Sequence, residues 1–211
     1  GQTAGSSFSV TVNAVDAAWN VVTSAPANVI TITTSDLNDT EPATNTLASG
    51  TQTFSVTFTT AGSWTVTATN TTDGTKTANT SPSITTSAGA FAKLQLLVPG
   101  ETAAPGTASG KTGTPTAQAA GTPFNVTVNA VDANWNLVTG APANVITITT
   151  SDGNAVLPAT NTLSSGTQTF SVTFTTAGSW TVTATDLTNG AITANTSPAI
   201  TVNAGALAKL Q

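Results

Sequence analysis

Residues 122–136 read T-P-F-N-V-T-V-N-A-V-D-A-N-W-N, and residues 6–20 read S-S-F-S-V-T-V-N-A-V-D-A-A-W-N. In both stretches an apolar residue alternates with Ser, Thr or Asn, the period-2 pattern of a strand with one buried face. An Asp, a Trp and an Asn then end the alternation, which is typical of a turn. Each copy therefore predicts one strand and one turn. The apolar positions are Phe8, Val10, Val12 and Ala14, and Phe124, Val126, Val128 and Ala130.

The two stretches belong to a longer repeat without gaps. Phe8 matches Phe124 and Lys93 matches Lys209, an offset of about 116 residues with roughly three quarters of the positions identical. We predict a domain at 1–90 that lacks its opening strand, a complete domain at 91–206, and the start of a further copy at 207–211. The first copy has no counterpart of residues 91–116.

The complete copy contains about seven short alternating segments separated by turn residues, which favours a β-sandwich. The opening segment places Leu94, Leu96 and Val98 on one face. We therefore predict an all-β chain of two tandem sandwiches. The principal predicted strands are Phe91–Val98, Phe124–Val131, Asn144–Thr150, Thr167–Thr176, Ser179–Asp186 and Ala199–Asn203.

The composition excludes most kinds of catalytic site. The chain has no Cys, His or Met, four Lys or Arg residues and nine Asp or Glu residues, so Ser–His and Cys–His pairs cannot form. Acids that both copies retain, Asp16/Asp132 and Asp36/Asp152, are predicted at opposite ends of a domain, too far apart for a glycosidase pair. A net charge of -5 without a basic cluster argues against nucleic acid. The sequence contains no stretch of about 18 apolar residues, so we expect no membrane insertion. We expect no enzyme activity and no organic cofactor.

Apart from three Pro residues, residues 99–121 contain no apolar side chain larger than Ala. A segment of this length with so little to bury is either a flexible linker or a functional loop. Residues 116–119 could pair along a sheet edge.

The segments V-T-V-N-A-V-D-A-N-W-N-L-V (Val126–Val138) and A-G-S-W-T-V-T-A-T (Ala177–Thr185) resemble the bacterial immunoglobulin-like domains repeated in large cell-surface proteins of the invasin and intimin type. The resemblance implies immunoglobulin-like sandwiches, located outside the cell or at its surface, that serve in stalks, adhesins or filaments. The chain departs from many relatives in its long 99–121 segment and in carrying Trp19 and Trp135 where Gly is common.

Aromatic and basic residues supply the candidate binding positions. Trp19 and Trp135 lie in turns, where each could bind a sugar ring or a partner, or cover the end of the core. Trp64 and Trp180 are in register with core residues. Lys93 and Lys209 are predicted to point outward and to discourage uncontrolled edge pairing.

A calcium ion is a further hypothesis. Turns at the two ends of adjacent domains would bring Asp36, Asp132, Asn134 and Asn136 to one junction, and calcium prefers such oxygen ligands. The alternative is that each Asp only hydrogen-bonds its own turn.

The incomplete first copy is expected to present an open groove. A segment matching Leu94, Leu96 and Val98, from a neighbouring repeat or chain, would fill it by strand addition. The leading functional hypothesis is a structural module of a long extracellular array, in a stalk, filament or cell-surface layer, with identical chains or repeats as partners. The alternative is an adhesin or carbohydrate-binding module that acts through the turn Trp residues or the 99–121 segment.

Overall fold

A computed structural model describes residues 1–207 and divides the chain into two compact units, Gly1–Ala88 (unit 1) and a second from Gly89 (unit 2). Both are all-β, as predicted, and the described residues form no helix. Residues 1–207 accordingly include no helix that could span a membrane.

Unit 1 consists of three small sheets. Their strand orders are β2-β5, β4-β3-β7-β8 and β1-β9-β6, with all pairs antiparallel except the parallel pair of β1 and β9. The strands are β1 (Gln2–Thr3), β2 (Ser7–Asn13), β3 (Val29–Thr34), β4 (Asn45–Thr46), β5 (Thr51–Thr57), β6 (Gly62–Trp64), β7 (Val66–Asn70), β8 (Asn79–Thr80) and β9 (Ile84–Ser87).

Unit 2 repeats this arrangement and adds three strands at its start. Its strands are β10 (Lys93–Leu97), β11 (Glu101–Ala103), β12 (Lys111–Gly113), β13 (Gln118–Ala119), β14 (Phe124–Val131), β15 (Val145–Thr150), β16 (Asn161–Thr162), β17 (Thr167–Val172), β18 (Gly178–Trp180), β19 (Val182–Asp186), β20 (Asn195–Thr196) and β21 (Ile200–Asn203).

The core of unit 2 lies between two sheets, of orders β10-β14-β17 and β16-β15-β19-β20, with β13-β21-β18 along one side. Strand β14 alternates as its sequence predicts, because Val126, Val128 and Ala130 are 0% exposed. Leu94 and Leu96 of β10, and Val98 directly after it, are exposed by 2% or less. The inward residues of the predicted strands thus form one continuous core.

The predicted strand Ser179–Asp186 is wrong in one respect, since it divides at Thr181. Strand β18 pairs with β21, whereas β19 pairs with β15 in another sheet. Side-chain hydroxyls interrupt the ladder at this point: the N–H of Thr181 donates to Ser151 Oγ and the N–H of Val182 to Ser197 Oγ. Both N–H groups therefore keep a hydrogen-bond partner at the point where the chain passes from one sheet to the other.

The 99–121 segment is ordered, so a flexible linker is the wrong alternative for it. Strands β11 and β12 form an antiparallel hairpin. Within it Lys111 Nζ lies 2.9 Å from Glu101 Oε1, with side chains 17% and 2% exposed. Strand β13 pairs in parallel with β21, which confirms the expected edge pairing near residues 116–119.

Replacement of Leu96 by Ala should lower the free energy of unfolding of unit 2 by about 2–5 kcal/mol, because its side chain is fully buried and its removal leaves a cavity. Leu187→Ala is the matched control, since Leu187 in the same unit is 58% exposed. Urea unfolding followed by NMR signals of each unit would measure both. Equal losses from the two substitutions would contradict the placement of β10 in the core.

Candidate functional site

In both units an aspartate closes the turn that follows the matched strand, β2 in unit 1 and β14 in unit 2. Asp132 Oδ1 accepts hydrogen bonds from the backbone N–H of Asn134 and Asn136 at 2.8 and 2.9 Å, and Asn136 Nδ2 donates to Oδ2 at 2.9 Å. Asp16 accepts the equivalent bonds from Ala18 and Asn20. Bonds from the Asn20 side chain, then from the N–H groups of Asn20 and Ala18, lower the pKa of Asp16. These carboxylates hold their own turns, as the simpler alternative for them predicts.

The tryptophan of each turn has a left-handed backbone, with φ of 67° at Trp19 and 68° at Trp135. Such a conformation is uncommon for a bulky residue and is most easily adopted by Gly. This geometry explains why Gly would suit the position and shows that the chain tolerates Trp there at a conformational cost.

Trp135 and Trp19 differ sharply in their surroundings. The ammonium of Lys93 lies 3.6 Å from the centroid of the Trp135 ring, and Trp135 Nε1 donates to the carbonyl of Ala108 at 3.2 Å. The backbone of Gly110 packs so closely on the indole that a Cβ at this position would clash with it. Among residues 1–207 none covers Trp19 in this way, and its side chain is 74% exposed.

Neither turn tryptophan belongs to the core cluster of its unit, so the prediction that each covers the end of the core is wrong. The β11–β12 hairpin and Lys93 cover Trp135 instead. Trp64 and Trp180 do pack against the cores, as predicted, and donate through Nε1 to the carbonyls of Thr60 and Thr176.

Lys93 does not act as a free charge on an edge strand, which corrects the prediction. Its Nζ donates to the carbonyl of Ala133 at 2.9 Å while it lies over the Trp135 ring. Burial lowers the pKa of Lys93, and the nearby Asp132 carboxylate partly opposes this effect. The side chain thus fastens β10 to the turn. Lys209 lies outside the described residues.

The paired tryptophans make a matched test. Trp19→Gly should change the stability of unit 1 by less than about 1 kcal/mol, because relief of the left-handed backbone offsets the extra freedom of Gly in the unfolded chain. Trp135→Gly should lower the stability of unit 2 by about 2 kcal/mol, since it removes a cation–π contact and a covered indole. Urea unfolding resolved by unit would compare them, and similar effects at both positions would show that the hairpin contributes nothing.

The residues of the hypothetical calcium site are engaged within their own units. Asp36 is 1% exposed, and its Oδ2 accepts the N–H groups of Thr59 and Thr60 at 2.8 and 2.9 Å. Asp132 Oδ2 also accepts the N–H of Gly89 at 2.7 Å. Within residues 1–207 no group of three or more His, Cys, Asp or Glu side chains is arranged to hold a metal. Because Asp36 and Asp132 lie in different units, the shared site stays a prediction, and an ion there would compete with these donors.

Asp152 occupies in unit 2 the position of Asp36 in unit 1 and has the same role. Burial acts to raise the pKa of Asp152, but hydrogen bonds from the N–H groups of Asn154, Thr176 and Thr175 and from the Thr176 hydroxyl together outweigh it, so the pKa is lowered. The ionised carboxylate thereby ties the 152–155 turn to the residues that follow β17.

The sign of the pH effect follows from this shift. The folded pKa of Asp152 lies below its unfolded value, so the unfolded chain takes up the proton first as the pH falls below about 4, and stability declines. Asp152→Asn should be less stable than the parent at pH 7 and should lose less stability between pH 7 and pH 3. Urea unfolding at both pH values measures the difference in slope, and identical slopes would contradict this role.

Sequence reasoning missed the polar contacts on the outer face of β10. Gln95 lies between Leu94 and Leu96 and should face solvent by alternation, yet it is 1% exposed. Its Nε2 donates to the carbonyl of Gly110 at 2.7 Å, and Asn129 Nδ2 donates to its Oε1 at 2.9 Å. The hairpin covers this face, so β10 is buried on both sides. The unusual length of the 99–121 segment was the one available indication of a cover.

No protein-family model matches the chain, and no curated protein matches it. Among solved structures it is similar to the D0–D1 domains of intimin, with 14% identity over 94% of this chain and 90% of that chain and a TM-score of 0.34. It is also similar to a Parabacteroides merdae β-glucuronidase (9% identity, 83% of this chain, 21% of that chain, TM-score 0.37) and to domains 1–6 of the surface layer protein SbsC (15% identity, 84% and 20%, TM-score 0.36). The chain thus spans about a fifth of the latter two. Intimin is of the type that the sequence resembles.

Proposed function

We propose that the chain is a structural module of an extracellular array, in which repeated sandwiches transmit tension along a stalk, filament or cell-surface layer. The observation that carries the proposal is a parallel strand pair that both units share and that includes the last strand of each unit. In unit 1, β1 pairs with β9 through Gln2–Thr86 and Thr3–Ser87. In unit 2, β13 pairs with β21 in the same register.

Parallel pairing has a mechanical consequence. Tension along the chain pulls β1 toward the amino terminus and β9 toward the carboxyl terminus of unit 1. Because the strands run in the same direction, this pull shears their hydrogen bonds together instead of opening them one at a time. The N–H of Ala4 adds a bond to the carbonyl of Ser87 at 2.8 Å, and Ala120 bonds Asn203 likewise. The same fastening occurs in both copies.

The array would lie outside the cell or at its surface, with identical chains or neighbouring repeats as partners. A surface layer protein is among the structures to which the chain is similar. Low charge supports close packing of neighbours, since nine acidic and four basic residues in 211 leave little repulsion between chains. No catalytic step is proposed, since the chain contains no His or Cys.

The second candidate is an adhesin or carbohydrate-binding module. The exposure of Trp19 favours it, because an accessible indole is a common surface for sugar rings and protein partners. Trp135 does not support it, because the 99–121 hairpin covers that indole. Binding of glycans that is lost in Trp19→Ala would favour this role over the structural one.

Single-molecule stretching of the whole chain tests the structural proposal. Ala4→Pro removes the N–H that bonds Ser87 and should lower the force at which unit 1 unfolds. Ala48→Pro is the matched control, because it removes an N–H that bonds Thr51 in a turn away from the parallel pair. It should leave the unfolding force near the parent value even where urea unfolding shows a similar loss of stability. A force unchanged by Ala4→Pro, or lowered equally by both substitutions, would overturn the proposal.

A further inference from the structure

The turn between β19 and β20, residues 187–192, contains the one Asn–Gly pair of the sequence, Asn189–Gly190. Every other asparagine of the chain precedes a residue that carries a side chain. The backbone nitrogen that follows an asparagine is a latent nucleophile toward the carbon of its side-chain amide. Glycine at this position favours the attack, because it has no Cβ to obstruct the approach and its backbone rotates most freely. The local structure then decides whether the attack is possible.

The turn leaves the nitrogen of Gly190 accessible. The N–H groups on either side of it are engaged, because Asn189 donates to Asp186 Oδ1 at 2.9 Å and Ala191 donates to Asn189 Oδ1 at 3.0 Å. Across residues 1–207 no group accepts a hydrogen bond from the Gly190 N–H. Asn189 and Gly190 are both exposed. A Cβ placed on Gly190 would meet no atom within 4 Å apart from its chain neighbours, so the space around this nitrogen is open.

The side-chain amide of Asn189 is turned toward the following backbone and polarised. Its Oδ1 accepts the N–H of Ala191 at 3.0 Å, an Asx turn in which the side chain folds over its own main chain. When a nitrogen adds to Cγ, negative charge develops on Oδ1, and a hydrogen bond already aimed at this oxygen stabilises it. The backbone carbonyl of Asn189 also accepts the N–H of Ile192 at 3.0 Å, which keeps the turn in this arrangement. The turn thus holds an electrophilic carbon next to an accessible nitrogen.

We propose that Asn189 is a site of spontaneous covalent modification in the folded chain. The nitrogen of Gly190 forms a bond to Asn189 Cγ, the bond from Cγ to Nδ2 breaks, and the amide group leaves as ammonia together with the proton of that nitrogen. Water then opens the succinimide ring. Its addition at Cγ gives aspartate, and its addition at the backbone carbonyl carbon gives isoaspartate, whose main chain runs through Cγ. Water is the one co-reactant, and the reaction does not depend on a mechanical role of the chain.

The matched turn of unit 1 indicates that the aspartate product fits this position. Asp73 matches Asn189, and its Oδ1 accepts the N–H of Thr75 at 3.0 Å, the bond that Ala191 makes to Asn189. The charge of Asp73 has a partner there, because Lys76 Nζ lies 3.3 Å from its Oδ2. A carboxylate can therefore replace the amide without loss of the Asx turn.

The charges of the two turns differ, however, and conversion of Asn189 gives the turn of unit 2 two carboxylates. Asp186 lies three residues earlier and is 4% exposed, whereas the uncharged Asn70 occupies its position in unit 1. Ile192 stands where unit 1 has Lys76, and residues 187–192 include no Lys or Arg. Two like charges in one turn repel each other. The isoaspartate product also lengthens the main chain by one CH2 group, so the residues that follow the turn are displaced.

Storage of the whole chain at 37 °C and pH 8 tests the proposal. We expect Asn189 to convert over weeks, with a gain of about 1 Da in the peptide that contains it and the loss of its side-chain amide signal from NMR spectra. The rate should rise about tenfold from pH 7 to pH 8, because the attacking species is the deprotonated nitrogen. Gly190→Ala should slow the conversion about tenfold and preserve the fold, since its Cβ has open space. An Asn189 that stays unchanged over months would overturn the proposal.

A second Asn–Gly pair separates the effect of the turn from that of the dipeptide sequence. Ala155→Gly places a glycine after Asn154, in the turn that follows Asp152. There the N–H of residue 155 donates to the carbonyl of Asp152 at 3.1 Å, so the nitrogen is already engaged. We expect Asn154 in this variant to convert about five- to tenfold more slowly than Asn189 in the same chain, because this hydrogen bond must break first. Equal rates at the two positions would overturn the proposal, since any Asn–Gly pair would then react alike.

The effect of the modification on its surroundings has a separate measurement at the start of β10. The N–H of Leu94 donates at 3.1 Å to the carbonyl of Thr193, the residue directly after the turn. Displacement of Thr193 by an isoaspartate should raise hydrogen exchange of the Leu94 amide several-fold in the converted chain, while the amides of unit 1 keep their rates. Asn189→Asp reproduces the aspartate product alone and should raise the exchange less. Equal exchange at Leu94 in fresh and converted chains would overturn the displacement assigned to the modification.

Discussion

Two-sided pairing of the central strand is the interaction on which the structure of a complete repeat depends. Strand β14 is bonded to β17 on one edge and to β10 on the other. The second pairing extends β14 to Val131 and encloses the turn that follows, so that Asp132 and Asn136 are 2% and 1% exposed. In unit 1 the same sequence pairs on one edge, and the matching turn is open to solvent. Identical local residues thus acquire different burial because one neighbouring strand is present or absent.

Hydrogen bonds between hydroxyl and amide side chains link neighbouring strands in this chain, which has few charged residues. Thr pairs bond directly across neighbouring strands, as Thr67 does with Thr80 and Thr183 with Thr196, each at 2.8 Å. Thr makes up roughly a quarter of the chain, and its branched side chain suits a strand surface. The buried carboxylates follow the same principle, because each accepts backbone N–H groups that would otherwise lack partners. A low charge density is therefore compatible with satisfied polar groups.

The sequence predicts the features that depend on local alternation. Strand β14, the inward set of Leu94, Leu96 and Val98, and the all-β class follow from period-2 patterning, and the structure agrees. Features that depend on distant segments could not be predicted in this way. Gln95 is buried by a hairpin that begins six residues later, and Thr181 ends one strand because hydroxyls from elsewhere in the chain accept the neighbouring N–H groups. Periodicity describes one face of one strand and contains no information about what covers the other face.

The exposure of Trp19 has to be judged against the same turn in a complete repeat. There the indole lies beneath Gly110, at a backbone φ of 72° that favours Gly, and beside the Lys93 ammonium. To free Trp135 for a ligand, the hairpin would have to leave, and two bonds that join it to β10 would break: Gln95 Nε2 to the Gly110 carbonyl and Lys111 Nζ to the Leu96 carbonyl. A buried polar group that loses its partner costs more free energy than a typical exposed hydrogen bond contributes. In a complete repeat the turn indole therefore fastens the hairpin to the turn.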